Sequence, residues 1–396
     1  AATKKLDPRI TYTRTGPASF IDEFGFVKIV GENAPRFDHD PMTGECKGLL
    51  IEETRTNKIS NSNGWNDGVV TDETKSPDGE FNAIKVTGSE SGTTYSEGTS
   101  TTGVWSVFLK AGSTNYVQLQ GGGVGMNNST IGPYTKNTVI NLSNGTFTVN
   151  EQGFTAKQYR DGWWRVSVVY TTGNTYTGTT WSIYCLDSSS PSADTIDNAE
   201  HCYVWGEVYE VGSFITSYIG TESNVKSIRG GDQCYIDGQD FLDFYNPIES
   251  TILMDYTHDF VTSSQLGVSA RVYKFQAVGG SDTRIDYVSN SGYNPYIAKD
   301  GSAVASISHG QSTVFGGGVN RSAVRVKENS FAVSFNGSAV SGNALDTSGA
   351  WNPTNAITEV TLGSSNDGNS PVNGHIQRFA YYPVGLPNSQ LVTLTS

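Results

Sequence analysis

Along WWRVSVVY, Trp164, Val166 and Val168 alternate with Arg165, Ser167 and Val169. A repeat of two marks a strand that buries one face, because successive side chains leave a pleated backbone on opposite sides. Similar short apolar stretches recur between Trp65 and Ile219. They predict strands over 81–86, 103–110, 115–120, 138–142, 145–149, 163–170, 181–186 and 201–211. No convincing helix separates them, so the pattern reads as a sandwich or jelly roll rather than a parallel sheet. In VINLSNGTFTV, Asn144-Gly145 lies between two strand-like runs, and both residue types tolerate the positive φ of a tight hairpin.

A polar, glycine-containing connector, SNVKSIRGGDQCYIDGQ, covers 223–239. Beyond it a second β region predicts strands over 251–256, 270–277, 284–289, 296–299, 312–315, 321–327, 330–335, 359–362 and 375–382. FAVSFNGSAV repeats the strand-Asn-Gly-strand device, and 387–395 is the one stretch that reads as a helical turn. The first sixty residues look like a lead-in, with strands at 11–13, 26–30 and 48–53 and a turn at Asp40-Pro41-Met42-Thr43-Gly44. The expected fold is therefore all-β, with two tandem antiparallel β-sandwiches and an extended N-terminal β segment. Its bounds are 1–60 for a collar or attachment segment, 61–222 for the first sandwich, 223–245 for a linker and 246–396 for the second.

Composition narrows the function. At 396 residues the chain exceeds one ordinary core. Its net charge of −13 opposes binding to a nucleic-acid backbone or an anionic membrane face. No apolar run approaches the ~18 residues of a membrane span. The N-terminus AATKKLDPRI has no apolar signal core, so no secretory peptide is expected in the chain as given. Cys46, Cys185, Cys202 and Cys234 form no C-x-x-C pair and no zinc spacing. Buried free thiols are the plainer reading, a Cys185–Cys202 bridge the alternative, and the redox compartment stays open.

Catalytic motifs are absent: there is no G-x-S-x-G, no H-E-x-x-H and no G-x-x-x-x-G-K-[ST]. The glycine run Gly121-Gly122-Gly123-Val124-Gly125 precedes no helix and reads as a strand-end loop. Sandwich glucanases carry their carboxylates as E-x-D-x-x-E on one strand, and that string is missing. Glu207 and Glu210 are offset by three, and Glu52 and Glu53 are adjacent; each pair is expected to diverge and to be solvated or ion-paired. The histidines His39, His201, His258, His309 and His375 are scattered and share no ligand spacing. His258-Asp259 resembles half a dyad with no identifiable nucleophile. No catalytic residue is expected, and no cofactor unless calcium.

Asp38-x-Asp40 begins like a calcium loop but places Met42 and Leu49 where ligands belong. Asp232, Asp237, Asp240 and Asp243 are the remaining calcium candidates. Sugar sites stack a pyranose on an exposed ring. Trp105, Trp164, Trp181 and Trp205 lie in strand patterns and are expected in the core. The rings in loop contexts, Trp65, Tyr134, Tyr293, Tyr296 and Trp351, are the glycan-binding candidates.

RFDHDPMTGECKGLLIEETRTN, at 36–57, resembles a segment that recurs in bacteriophage structural proteins ahead of lectin-like domains. The likeness continues through NSNGWNDGVV, SPDGEFNAIKV, DGWWRVSVVY and VWGEVYEVGSFITSYIGT, which look like parts of a phage jelly-roll module similar to carbohydrate-binding modules. FAVSFNGSAV and GHIQRFAYYPVGLPNSQL resemble the closing strands of a concanavalin- or laminin-G-like sandwich. No appended hydrolase, lyase or peptidase region is recognisable.

The resemblance implies a virion-surface protein of the tail-fibre, tail-spike or head-appendage kind, often a homotrimer, assembled in the host cytoplasm. Its implied partners are host-surface or environmental glycans and other virion subunits, with no nucleic acid and no membrane insertion. A capsid or tail decoration protein is the alternative, and a polysaccharide depolymerase is a third reading. On this view the block at 36–57 is an architectural collar. Leu49 to Ile51 would pair into the first sandwich, ringed by ion pairs of Arg36, Asp38, Glu52 and Arg55.

Overall fold

The computed structural model describes residues 5–65, 68–93, 101–122, 138–150, 153–171, 180–189, 199–222, 225–260, 270–277, 283–289, 295–299, 302–307, 313–343, 351, 357–365, 368 and 370–396. Among them the architecture is almost wholly antiparallel β, in two sandwiches. One face of the first is a six-stranded sheet in the order Thr155–Gln158, Trp163–Thr171, Thr102–Ala111, His201–Val211, Ala83–Thr87, Val69–Thr71. The other is five-stranded: Thr146–Asn150, Thr138–Asn141, Tyr116–Gly122, Thr180–Leu186, Ser89–Ser91. The period-two pattern sends Trp164, Val166 and Val168 into the core between them. There Trp105 stacks on Trp181 at 4.6 Å.

The second sandwich is built from more of the chain than its own C-terminal region. One sheet runs Ser341–Asn343, Phe331–Phe335, Val319–Lys327, Glu249–Thr257, Gly374–Tyr382, Cys46–Ile51, Phe37–His39. The other runs Thr11–Thr13, Gln233–Asp237, Glu359–Leu362, Ala270–Gln276, Arg284–Ser289, Pro295–Lys299, Ser302–Ser306. The collar and the connector at 223–245 thus supply edge strands to this sandwich. A short helix, Gly238–Leu242, follows the connector strand, and the predicted helical turn near the C-terminus is the helix Asn388–Thr395. The stretch predicted as a strand at 312–315 forms none over its described residues.

The expectation that Leu49 to Ile51 joins the first sandwich is corrected. Leu49, Leu50 and Ile51 pair with Ile376, His375 and Gly374 of the second. The apolar knot can do this because both of its faces are covered. Leu49 and Ile51 enter the second core with Ile252, Met254 and Ile376, each burial contributing about 1.5–3 kcal/mol. Leu50, pointing the other way, lines a cleft between the sandwiches. Gly48 sits beside the bulge where this strand pairs with Phe37–His39, at φ +111, and a Cβ there would lie 2.4 Å from the Ile376 carbonyl oxygen. Glycine alone fits that approach.

Behind the knot the collar, the connector and the first sandwich meet in a buried ionic network. Arg36 Nη1 donates to Glu52 Oε2 at 2.7 Å and to Ser217 Oγ at 2.9 Å. Glu52 also accepts from the Ser217 backbone N–H at 2.7 Å, and Arg229 Nη1 lies 3.1 Å from Glu52 Oε2. Asp232 takes Arg36, Arg14 and the Tyr12 hydroxyl. The expected ring of ion pairs is therefore met by Arg36 and Glu52, whereas Arg55 pairs with Glu53 and Asp38 turns toward His375. Such networks are costly to break because each partner is left charged and dry.

Candidate functional site

The two sandwiches and the collar enclose a cleft of about 610 Å³, within the size range of small-ligand sites. Leu50 and Phe108 contribute apolar surface to it, the collar brings Asp38, Asp40 and Lys47, and the second sandwich brings Asp259 and Phe260. Lys157 and Thr155 line the first-sandwich side and are exposed.

The polar wall is organised around His375, which is fully buried. Its Nε2 lies 2.9 Å from Asp38 Oδ2, and its Nδ1 lies 3.3 Å from Asp259 Oδ1 and 3.2 Å from Thr257 Oγ1. Lys47 Nζ approaches the same two carboxylates, at 3.9 Å from Asp38 and 3.5 Å from Asp259. A ring with a carboxylate at each nitrogen donates from both only as the imidazolium. Burial alone would push the His375 pKa down; the Asp259 charge and the hydrogen bonds to Asp259 and Asp38 outweigh it and hold it above the ordinary value. Burial would likewise raise the Asp259 carboxyl, but His375 and Lys47 keep it far below the usual range. Asp40 is lowered too, because the backbone N–H groups of Met42 and Thr43 overcome its partial burial.

The lining carries charges of both signs, Asp38, Asp40, Glu52 and Asp259 beside Lys47, Lys157 and Arg165, with the buried His375 behind Asp38 and Asp259. It offers hydrogen-bonding groups of both signs beside apolar surface. Its carboxyls Asp40, Glu52 and Asp259 are held below the usual carboxyl range. Among the described residues the carboxyls raised above their usual value are Glu207, Asp286 and Glu359, and none lines the cleft.

The sequence candidates fall out differently. Trp65 is 4% exposed and packs into the first core, and Trp351, 2% exposed, meets Phe331 in the second, so neither presents a face to a sugar. Polar neighbours made both look like loop-tip rings, yet the indoles are buried with the sandwich cores. Tyr296 is partly exposed on Pro295–Lys299, with the Arg284 guanidinium 5.2 Å from its ring centre. Tyr134 and Tyr293 lie outside the described residues, as does His309.

Asp232 is wholly buried with both oxygens on arginine or tyrosine, so it is no calcium ligand. Asp237 is half-buried at the end of a strand, and Asp240 and Asp243 lie exposed in and just after the short helix; Asp243 accepts from Gln239 at 2.7 Å. Among the described residues no three His, Cys, Asp or Glu side chains converge as a metal site.

Glu207 and Glu210 are not solvated, contrary to expectation. Glu210 accepts from the Thr216 backbone N–H at 3.0 Å and from its hydroxyl at 2.6 Å. Glu207 lies inside the first sandwich, accepting from Trp105 Nε1 at 2.8 Å and from the Thr93 N–H at 3.1 Å. Burial pushes its pKa up to about 8 despite those two donors. Asp259 pairs with His375, 116 positions on, rather than with its neighbour His258, whose Nδ1 faces the Val372 carbonyl. Lys47 and His375 escaped sequence reasoning because nothing in their local spacing marks them. The one available signal was the charge density around the apolar knot.

No known protein family matches this chain by sequence, and no curated protein is similar to it. Its fold shares features with several solved structures. The NanB sialidase from Streptococcus pneumoniae aligns with TM-score 0.32 and 16% identity over 41% of this chain, which spans only 26% of that sialidase. The Ruminococcus gnavus IT-sialidase CBM40 bound to α2,3-sialyllactose gives 0.30 and 16%, over 39% of this chain and 85% of that one. Domains LG4-5 of mouse laminin α1 give 0.26 and 8%, over 86% and 93%. At these scores and identities the likeness carries no argument about ligand or reaction.

Proposed function

We propose that this chain is a non-catalytic glycan-binding protein of a bacteriophage particle, and that the cleft between its sandwiches holds the sugar. The observation that carries the binding reading is the cleft lining, where charges of both signs stand beside apolar surface. That combination suits an uncharged polyol, which needs donors and acceptors but no net counter-charge. Hydrolysis by paired carboxylates needs one of them protonated near neutral pH. Asp40 and Asp259 are held ionised, which supports binding over cleavage. The placement on a tail fibre, spike or head appendage, and the trimer, rest on the sequence resemblance of 36–57 and the segments after it. Several copies on one particle would strengthen a shallow, individually weak site.

The test is a glycan array followed by incubation with host polysaccharide. Binding without new reducing ends or unsaturated products is expected. Thr155→Arg and Val169→Arg, both at exposed cleft positions, should weaken binding at least tenfold without changing Tm. Undiminished binding by both variants would move the site elsewhere, Tyr296 first. New chain ends would replace an adhesin with a depolymerase.

A decoration role has its own support. Phe24 and Ile29, on the hairpin of Ala18–Ile21 and Val27–Val30, are 60% and 63% exposed, with Met42 and Phe81 also exposed. The hairpin abuts both neighbouring loops: a Cβ on Gly25 would touch the Pro41 carbonyl, and Val27 N–H donates to the Pro77 carbonyl. Exposed apolar side chains clustered on neighbouring loops suit a protein contact. Absence of glycan binding, with loss of particle incorporation on Phe24→Asp, would favour that role.

A further inference from the structure

Ala83–Thr87 belongs to the six-stranded sheet of the first sandwich and Ser89–Ser91 to the five-stranded one, so the chain changes sheets at Gly88. Gly88, at φ +67, donates its N–H to the Glu200 carbonyl at 2.9 Å and accepts from the Cys185 N–H at 2.7 Å. A single residue thus bridges the approach to His201–Val211 and the end of Thr180–Leu186. Packed sheets ordinarily stand ~10 Å apart. Here they are pinched until one residue spans them.

Cys185 and Cys202 sit on this pinch, one in each sheet. Their Sγ atoms are 3.6 Å apart, and neither residue has exposed surface. Val86, whose carbonyl oxygen lies 3.6 Å from Cys185 Sγ, is the register partner of Cys202. A disulfide needs about 2.05 Å between sulfurs, so the gap to close is about 1.5 Å, within reach of side-chain rotation. Cys46 and Cys234 lie on strands of the second sandwich.

We propose that Cys185 and Cys202 are a covalent modification site, forming an inter-sheet disulfide when a low-molecular-weight disulfide such as oxidised glutathione is present as the chain folds. One cysteine, as thiolate, attacks a glutathione sulfur and releases one glutathione thiolate. The second cysteine, as thiolate, then displaces the other glutathione and completes the bridge. The protein gives up two electrons, oxidised glutathione is reduced to two glutathione molecules, and the two cysteine protons end on their thiols. Once folded, the pair is closed to solvent. The neighbouring Cys185 thiol and burial both push the Cys202 pKa up, so exchange belongs to folding rather than to the finished protein. The bridge would close a loop between positions 17 apart in sequence and tie the two sheets together. It does not depend on what the cleft binds.

The full chain should be refolded from denaturant in a glutathione redox buffer and, in parallel, in excess phosphine reductant. The expected result is a peptide map linking the Cys185 and Cys202 peptides, free thiols at Cys46 and Cys234, and a Tm raised by roughly 5–10 °C over the reduced form. Cys46→Ala/Cys234→Ala should keep the link, which keeps the test decisive if Cys202→Ala folds poorly. Four free thiols in both buffers would overturn the proposal. So would glutathione left on Cys185, or a link to Cys46 or Cys234.

Discussion

Arg36 and Asp232 stand 196 positions apart in the chain and 2.5 Å apart in the fold, with both side chains shut off from solvent. Arg36 reaches Glu52 with its other terminal nitrogen, and Asp232 reaches Arg14, so the collar and connector close on each other over the end of the first sandwich. The lock decides where the cleft lies, because Ser217, bound to both Arg36 and Glu52, is itself part of the cleft lining.

Arg36→Ala should be severely destabilising, by roughly 3–5 kcal/mol, because it strands Glu52 and Asp232 without a counter-charge in a dry site. Urea denaturation of the two proteins checks it. A loss below about 1 kcal/mol would mean that Arg14 and Arg229 carry the network alone.

Acid should open the same lock. Burial would raise the Glu52 carboxyl, but the Arg229 and Arg36 charges and the Ser217 hydrogen bonds bring it down to about 2 from 4.5. A depressed carboxylate contributes stability that is complete above the unfolded value and disappears as pH falls toward the folded one. Between pH 4.5 and 2 the fold should therefore lose on the order of 3 kcal/mol through this group. Glu52→Gln, already weakened at neutral pH, should show a shallower acid limb. Parallel limbs would refute the assignment.

Glu207 works in the opposite direction. Burial lifts its pKa to about 8, so its contribution is complete below pH 4.5 and is lost as pH rises through about 8. Glu207→Gln keeps the shape and removes the titration. The variant should gain on the order of 5 kcal/mol relative to wild type between pH 4.5 and 8.5, seen as a crossing of the two stability curves. Curves that stay parallel would show that the carboxyl ionises freely in the native state.

For His375 the test is spectroscopic. Its raised pKa depends on Asp259 at Nδ1 and Asp38 at Nε2, with Lys47 opposing. Asp259→Asn should lower the imidazole titration midpoint, followed by NMR of the ring protons. The stability linked to its charge is complete below the unfolded value near 6.5 and fades as pH climbs through the native one. An unchanged midpoint would assign the shift to Asp38 alone.

How much of this was legible in the chain depends on the range of the interaction involved. Trp163–Thr171 announced itself through alternation, and Asn144-Gly145 and Asn336-Gly337 through turn chemistry; all of these are local. The partner of Leu49 to Ile51 was not legible, since both sandwiches offer apolar edges and the choice fell on residues more than 320 positions away. The cleft cluster is of the same kind: Asp38 and His375 are 337 positions apart. Trp65 and Trp351 misled because a polar neighbourhood describes the backbone around a ring and says nothing of where the ring goes.

The pairing of the collar with the C-terminal sandwich makes the sharpest prediction about organisation. A chain limited to 246–396 would lack Cys46–Ile51 and Phe37–His39 from one sheet and Gln233–Asp237 and Thr11–Thr13 from the other. Its core would lose Leu49, Ile51, Cys234 and Ile236, and the backbone edges of Gly374–Tyr382 and Glu359–Leu362 would be laid bare. Unpaired edges with apolar flanks associate with one another. This fragment should therefore aggregate or melt without cooperativity, whereas 58–222, which keeps both sheets of the first sandwich, should unfold in one transition. Supplying 1–57 and 223–245 in the same chain, as a circular permutant joined through a flexible linker, should restore a sharp melt. A cooperative transition from 246–396 alone would show that the borrowed strands decorate a core that is already complete.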